Sequence, residues 1–265
     1  MAENILTVEN LNIAYQGVPA VMDVNFTLER GKVLTIVGES GSGKTTVIRA
    51  LMGLLPVGGE VIEGTMIFNG QDLRTLSKSQ WRSIRGKDMA MIFQDSGSAL
   101  DPIVRIGKQF RELFKSHIEI TNDECDRRAI ELLESVSLPN GADILRRYPH
   151  ELSGGQRQRV GIAMALALDP ALLIGDEPTS ALDVTTQSQV VMQMLELAKE
   201  HNSAIVMVTH NLGVAAYMSD YIIVMKKGRV VDAGTPQDIL ENPSNEYTKQ
   251  LKDAVPTLEG GRYID

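Results

Sequence analysis

The chain has 265 residues, of which 43% are hydrophobic and 23% are charged, a composition typical of a folded globular protein and not of a disordered one. Its net charge of −8 argues against nucleic acid as a partner, because a nucleic-acid surface needs clustered Lys and Arg. Cys125 is the only cysteine, which excludes disulfides and cysteine-based metal sites within the chain and favours a reducing cytoplasm.

The N-terminal stretch MAENILTVEN does not have the pattern of a signal peptide. No apolar run approaches the roughly 20 residues that cross a bilayer. If the protein works at a membrane, another subunit is expected to bring it to the cytoplasmic face.

The first motif follows the apolar run VLTIV at residues 33–37, which predicts a buried strand. Residues 38–45 then match GxxxxGK[ST], and the run VIRALMGLL predicts a helix after them. In this context backbone N–H groups and the helix N-terminus favour phosphate. Lys44 would contact the β- and γ-phosphates, and Thr45 would hold Mg²⁺. The residues expected around the phosphates are Gly38, Glu39, Ser40, Gly41, Ser42, Gly43, Lys44, Thr45 and Thr46.

The sequence between Gln94 and Asp169 changes character and favours helices over strands. Thr121 stands three residues before Glu124, which is the pattern of a helix capping box. We therefore expect a helical subdomain at 95–164, inserted into a nucleotide-binding core at 1–94 and 165–235. Residues 236–265 would form a C-terminal extension.

Two further apolar runs end in polar residues that suit phosphate chemistry. ALLI at 171–174 leads to Asp176, a candidate Mg²⁺ ligand, and Glu177, a candidate for positioning the attacking water. AIVMV at 204–208 leads to His210, which would sense the γ-phosphate at the same sheet edge. The stretch YIIVMKKGRVVDAG then predicts a hairpin that turns at Lys227 and Gly228.

Taken together, these motifs resemble those of the ATP-binding cassette (ABC) ATPases. The resemblance rests on GESGSGKTT, MIFQD with Gln94, LSGGQ, LLIGDEPTSALD and His210, in this order. It implies an α/β fold of the P-loop NTPase, RecA-like type, with an N-terminal antiparallel β portion and an inserted α-helical subdomain. ATP and Mg²⁺ are the expected ligands, and ATP hydrolysis is the expected reaction.

The resemblance also implies that two cassettes pair head to tail, with each ATP held between the first loop of one chain and the LSGGQ of the other. Tyr15 would stack on adenine, Gln94 would touch both metal and water, and Asp183 would cross the interface. The residues that would serve the partner's nucleotide are Ser153, Gly154, Gly155 and Gln156. Two positions depart from the usual pattern: Gly175 precedes Asp176 where Ala is usual, and Asn211 follows His210 where Asp is common.

A narrower resemblance, carried by QDSGSALDPIVRIGKQF, RRYPHELSGGQ and NPSNEYTKQL, is to importers of dipeptides, oligopeptides and nickel. The implied partners are a second ATPase, identical or different, two membrane permeases and, indirectly, an extracytoplasmic binding protein. A permease contact is expected near residues 94–110, where internal packing is an equal alternative for the apolar side chains. Nickel or metallophore import, a non-transport ABC ATPase and a poorly hydrolysing regulatory module remain alternatives, and the cargo is not specified.

Overall fold

The computed structural model describes residues 3–178 and 184–254. The chain divides into two compact units. The first is formed by the residues up to Leu76 together with those from Ala204 onward, and the second is Ser77–Ser203. No helix in the described ranges has both the length and the apolar character that a membrane span requires.

The strands of the described residues are β1 (Asn4–Tyr15), β2 (Val18–Glu29), β3 (Val33–Val37), β4 (Gly59–Phe68), β5 (Gln71–Asp72), β6 (Met89–Ile92), β7 (Leu172–Asp176), β8 (Ala204–Thr209), β9 (Tyr221–Lys226) and β10 (Arg229–Gly234). The α-helices are α1 (Lys44–Leu51), α2 (Lys78–Ile84), α3 (Ser96–Ala99), α4 (Ile106–Lys115), α5 (Asn122–Ser135), α6 (Gly141–Arg146), α7 (Gly154–Leu166), α8 (Val184–Glu200), α9 (Leu212–Met218), α10 (Pro236–Glu241) and α11 (Glu246–Asp253).

The first unit begins with an antiparallel sheet in the order β2-β1-β4-β5. β1 and β2 are joined by Gln16 and Gly17, whose positive φ angles of 50° and 81° suit the tight turn between twisted antiparallel strands. The burial of β2 alternates toward its end, as expected for a strand with one face on the core. This sheet confirms the expected N-terminal antiparallel portion of the fold.

A second group of strands in the first unit carries two of the predicted apolar runs, VLTIV in β3 and AIVMV in β8. β3 runs parallel to both β8 and β9, and β10 returns antiparallel along β9. β8 is buried along nearly its whole length, which fits a strand covered on both faces. The predicted hairpin is confirmed, since Lys227 and Gly228 connect β9 to β10 with φ angles of 48° and 80°.

The second unit contains the parallel pair β6 and β7. Residues 94–169 hold α3 to α7 and no strand, as expected for the inserted helices. Because the second unit also includes β6 and β7, it is larger than the predicted helical subdomain. The bounds of that subdomain at 95–164 stay a prediction.

Helix α5 begins where the sequence predicted, but with half of the expected capping box. The Thr121 hydroxyl accepts a hydrogen bond from the Glu124 N–H at 3.3 Å. The Glu124 carboxylate pairs with Arg127 and Arg128 on the helix surface. In a full capping box the Glu124 carboxylate would accept from the Thr121 N–H. Here it binds two nearby guanidinium groups instead.

Candidate functional site

The loop at residues 38–46 connects β3 to α1 and wraps around the ammonium of Lys44. Lys44 is only 5% exposed. Its Nζ donates to the carbonyl oxygens of Gly38 at 2.7 Å and Glu39 at 2.8 Å, and lies 3.4 Å from the Ser42 Oγ. Because a buried ammonium is costly without acceptors, these oxygens hold the lysine at the start of the loop.

Two glycines make this loop possible. A Cβ on Gly38 would lie 2.2 Å from the carbonyl oxygen of Met225, so only a residue without a side chain fits there. Gly43 precedes α1 with φ 103°, in the left-handed region that glycine tolerates best. No side chain caps the helix at this position. The first turn of α1 therefore has the backbone donors and positive potential that attract an anion.

Tyr15 lies beside the first turn of α1. Its hydroxyl is 3.4 Å from the Thr46 Oγ1, and the residue is half-buried at the end of β1. Gly59 packs against the tyrosine ring, since a Cβ there would come within 2.6 Å of the ring. The structure thus brings Tyr15 to the loop, while its stacking on adenine stays a prediction.

His210 follows β8 at the same edge of the strands as the loop. Val37, the last residue of β3, pairs with Thr209, the last residue of β8. His210 is exposed. The parallel register explains why two segments far apart in the sequence leave the strands side by side.

The second unit brings three more candidates to one strand edge. Ile92 of β6 pairs with Gly175 of β7, so Gln94 and the adjacent carboxylates Asp176 and Glu177 follow neighbouring parallel strands. Asp176 is 5% exposed and Glu177 is half-buried. This grouping agrees with the expectation that both carboxylates lie at a strand end.

Gln158 belongs to the same region and was not among the residues that the sequence identified. It lies on α7, is 2% exposed, and its amide donates to the carbonyl oxygen of Phe93 at 3.4 Å and to that of Pro178. These two carbonyls adjoin Gln94 and Glu177. Gln158 stands four residues before the buried Ile162 and therefore lies on the same, apolar face of the helix. A polar residue on that face was the sequence signal that could have identified it.

The LSGGQ segment forms the start of α7. The Ser153 Oγ accepts from the Gln156 N–H at 3.2 Å, and the Gln156 Oε1 accepts from the Ser153 N–H at 3.0 Å. Ser153 and Gly154 are exposed, whereas Gly155 and Gln156 are partly covered. The capping box uses the hydroxyl as an acceptor, so its proton can still be donated at an exposed helix N-terminus. Asp183 lies outside the described residues.

Metal ligands were expected from Thr45, Gln94 and Asp176. No cluster of three or more His, Cys, Asp or Glu that could hold a metal occurs in the part of the chain that the structure describes. The three candidates offer a hydroxyl, an amide carbonyl and a carboxylate. Such oxygen donors suit Mg²⁺, which commonly takes one or two carboxylates together with substrate phosphates and water.

Comparison with known proteins gives consistent matches across the chain. The family described as ABC transporter matches residues 21–180. The chain is 45% identical over 262 residues to the dipeptide transport ATP-binding protein DppD of Lactococcus lactis subsp. cremoris, which covers 97% of this chain and 75% of that protein. It is 44% identical over 260 residues to the oligopeptide transport ATP-binding protein OppD of Bacillus subtilis, covering 96% of this chain and 73% of that protein.

A solved structure with a similar fold is the dimeric ATP-binding cassette MJ0796 in a post-hydrolysis state, bound to ADP and Pi. The TM-score is 0.78 at 28% sequence identity, and the match covers 87% of this chain and 98% of that one. The α/β fold inferred from the motifs is therefore confirmed.

Proposed function

The chain belongs to the ABC transporter family, and from this premise we propose that it is the ATP-hydrolysing, energy-coupling subunit of an importer for dipeptides or oligopeptides. The observation that carries the proposal is the 45% identity to a dipeptide transport ATP-binding protein along 97% of the chain. Such extended similarity favours peptide import over the non-transport alternative.

In the first unit, we assign the phosphates of ATP to the loop at 38–46. Lys44 would keep the Gly38 carbonyl as one acceptor and turn its other two N–H donors to β- and γ-phosphate oxygens, and the first-turn N–H groups of α1 would complete the contacts. Tyr15 would contact adenine, and His210 would contact the γ-phosphate. Thr45 would place its hydroxyl on Mg²⁺.

In the second unit, we assign the metal and water chemistry to the ends of β6 and β7. Asp176 and Gln94 would hold Mg²⁺, which would offset the negative charge that develops on the transferred phosphoryl group. Glu177 would orient the attacking water and accept its proton. Two adjacent carboxylates would therefore have different roles: Asp176 would bind the metal, and Glu177 would bind the water.

We further propose that two such subunits act together. The similar cassette MJ0796 is dimeric when bound to ADP and Pi. The exposed Ser153 hydroxyl and the following N–H groups of α7 fit the terminal phosphate of a nucleotide on the partner. Because that phosphate would complete the interface, ATP would favour pairing and hydrolysis would loosen it, which converts chemistry into movement.

Two membrane permeases would receive this movement at the cytoplasmic face. Of the apolar residues expected to contact a permease, Ile106 and Phe110 are buried within the second unit, where they serve its internal packing. Ile103 is 82% exposed and is the residue of this group that we assign to the permease contact.

The test is to co-purify the chain with candidate permeases in lipid and to measure ATP hydrolysis with loaded binding protein. We expect a dipeptide or oligopeptide load to stimulate hydrolysis above the unloaded control. Stimulation by a nickel chelate alone would replace peptide with metal import. Failure to associate with any permease, together with tight binding to DNA or ribosomes, would refute the transport function.

A further inference from the structure

The C-terminal segment NPSNEYTKQL places one tyrosine against the phosphate loop. Tyr247 lies in the first turn of α11 and is 3% exposed. Its ring belongs to the apolar cluster of the first unit that also contains Val37, the residue directly before the loop. A large side chain from the end of the chain is thus part of the same core as β3.

The hydroxyl of Tyr247 makes a specific contact with the loop backbone. The Glu39 N–H donates to the Tyr247 Oη at 2.8 Å. The same peptide group has the Gly38 carbonyl at its other end, and that oxygen accepts from the Lys44 Nζ at 2.7 Å. One peptide group therefore connects the tyrosine hydroxyl to the lysine ammonium.

Tyr247 is itself held firmly in place. The Asp232 carboxylate accepts from the N–H groups of Ser244 and Asn245 at 3.0 Å and 3.2 Å, and also from the Ser244 hydroxyl at 2.9 Å. The Asn245 Oδ1 then accepts from the Tyr247 N–H at 2.9 Å. The Lys226 ammonium lies 4.3 Å from the centre of the tyrosine ring, in cation–π geometry. These contacts fix the start of α11 on β9 and β10.

We propose that Tyr247 is a positioning residue for ATP binding, which acts by fixing the orientation of the Gly38–Glu39 peptide. The proposal rests on the function proposed above for residues 38–46. The proposal assigns a role to the C-terminal segment. None of the nucleotide contacts inferred from the motifs involves a residue of this segment.

The physical basis is preorganisation of the loop. With its N–H held by the tyrosine, the Gly38–Glu39 peptide cannot rotate without breaking a hydrogen bond, so its carbonyl keeps facing Lys44. Without the hydroxyl, other loop conformations become populated. Binding of a phosphate chain must then restore the competent conformation, which weakens the observed affinity.

The test is Tyr247→Phe, which retains the ring and its cation–π contact but removes the hydroxyl. We expect the Kd for ATP, measured by calorimetry with EDTA to prevent hydrolysis, to rise about 3- to 10-fold through lost preorganisation. The KM for ATP should rise by a similar factor, while kcat stays within about twofold of the parent. Tyr221→Phe is the matched control, because Tyr221 is a partly exposed tyrosine of the same unit, and it should behave like the parent.

Lys44→Ala separates failure of this inference from failure of the proposed site. If Lys44→Ala loses ATP binding while Tyr247→Phe binds like the parent, the positioning role is wrong and the site stands. If Lys44→Ala also binds like the parent, the assignment of the loop is wrong and the inference falls with it. A lower melting temperature of Tyr247→Phe with unchanged Kd and KM would reduce Tyr247 to a structural residue.

A measurement on the parent protein does not depend on the variant folding. The Glu39 amide should exchange with solvent more slowly than the amides of the exposed residues Ser40 and Gly41, as measured by NMR without nucleotide. Equal exchange of the three amides would show that the hydrogen bond to Tyr247 is absent and would overturn the proposal.

Discussion

At the residue scale, Glu177 has an unusual backbone conformation for its side chain. Its φ of 46° lies in the left-handed region, which costs free energy for residues with a Cβ. The strand β7 has just ended at the buried Asp176, so this turn directs the next residue away from the strand. Local strain at the residue that we assign to the attacking water is consistent with a functional position.

We predict that Glu177→Gln binds ATP but hydrolyses it at least about 100-fold more slowly, because an amide cannot accept the proton of water. The unhydrolysed nucleotide should then accumulate in a closed dimer. ATPase assays and size-exclusion chromatography with ATP measure the two effects. The control is Glu134→Gln, which changes an exposed carboxylate of α5 and should retain the parental rate. Parental turnover in Glu177→Gln would assign the water to another residue.

Asn211 shows how a departure from the family pattern is accommodated. Its Oδ1 accepts from the Val214 N–H at 3.2 Å and caps α9 directly after His210. Asn is as good a helix cap as Asp. The substitution therefore retains the local structure that follows His210.

At the element scale, α7 connects the start of the LSGGQ segment to the ends of two strands. Ser153 caps the helix, and Gln158, just over one turn later, binds the Phe93 and Pro178 carbonyls. The exposed start of the helix is therefore rigidly joined to the segments that carry Gln94 and Glu177. Through this connection, a displacement of the helix start would also displace the segments that carry Gln94 and Glu177.

We predict that Gln158→Leu lowers the free energy of unfolding by about 1–3 kcal/mol, because both carbonyls lose a buried donor. The rate of ATP hydrolysis should fall as well, since Gln94 and Glu177 adjoin those carbonyls. Urea denaturation and ATPase assays measure the two effects. Gln237→Leu, an exposed glutamine of α10, is the control and should change neither property. Parental stability of Gln158→Leu would contradict the bridging role.

The charged surface of α5 leads to a prediction about pH. Ion pairs with Arg127, and then with Arg128, lower the pKa of the Glu124 carboxyl from 4.5 to about 2 in the folded protein. A lowered folded-state pKa means that this carboxylate stabilises the fold above pH 4.5, and that the contribution is lost as the pH falls from 4.5 to about 2.

The stability of the parent should therefore decline more steeply across this window than that of Glu124→Gln. The effect should be small and should diminish at about 1 M salt, because these pairs are solvent-exposed. Melting temperatures of both proteins as a function of pH measure it. Parallel curves for the parent and the variant would show that the ion pairs do not contribute to stability.

At the scale of the whole molecule, the start of α7 has a glycine, Gly154, whose small size the packing of the described residues does not require. A Cβ on Gly154 would meet nothing closer than the Arg157 Nη2 at 3.9 Å, which is an ordinary contact. Gly38 is the opposite case, since internal packing leaves no space for a side chain there. The space beside Gly154 is consistent with the partner contact that we propose for the helix start.

We predict that Gly154→Ala is as stable as the parent, or up to about 1 kcal/mol more stable, because alanine favours a helix. ATP binding by the isolated chain should be unchanged. Hydrolysis by the assembled transporter should fall about tenfold or more, because a displaced phosphate contact is costly to the reaction. Stability, binding and turnover are measured separately, and parental turnover would show that the partner's nucleotide does not need this glycine.

Much of the molecule was determined by local sequence patterns. The loop at 38–46, the strands before it and before Asp176, and the turn at Lys227 and Gly228 each depend on residues adjacent in the chain. Glycines, apolar runs and turn residues limit the local backbone strongly, and sequence alone therefore predicts them. The order of the motifs also identified the family.

Tertiary structure alone decided which distant residues support the site. The Glu39 and Tyr247 partners are 208 residues apart, and Gln158 reaches Phe93 across 65 residues. Contacts of this kind depend on how helices and strands pack in three dimensions, and no pattern of neighbouring residues specifies that packing.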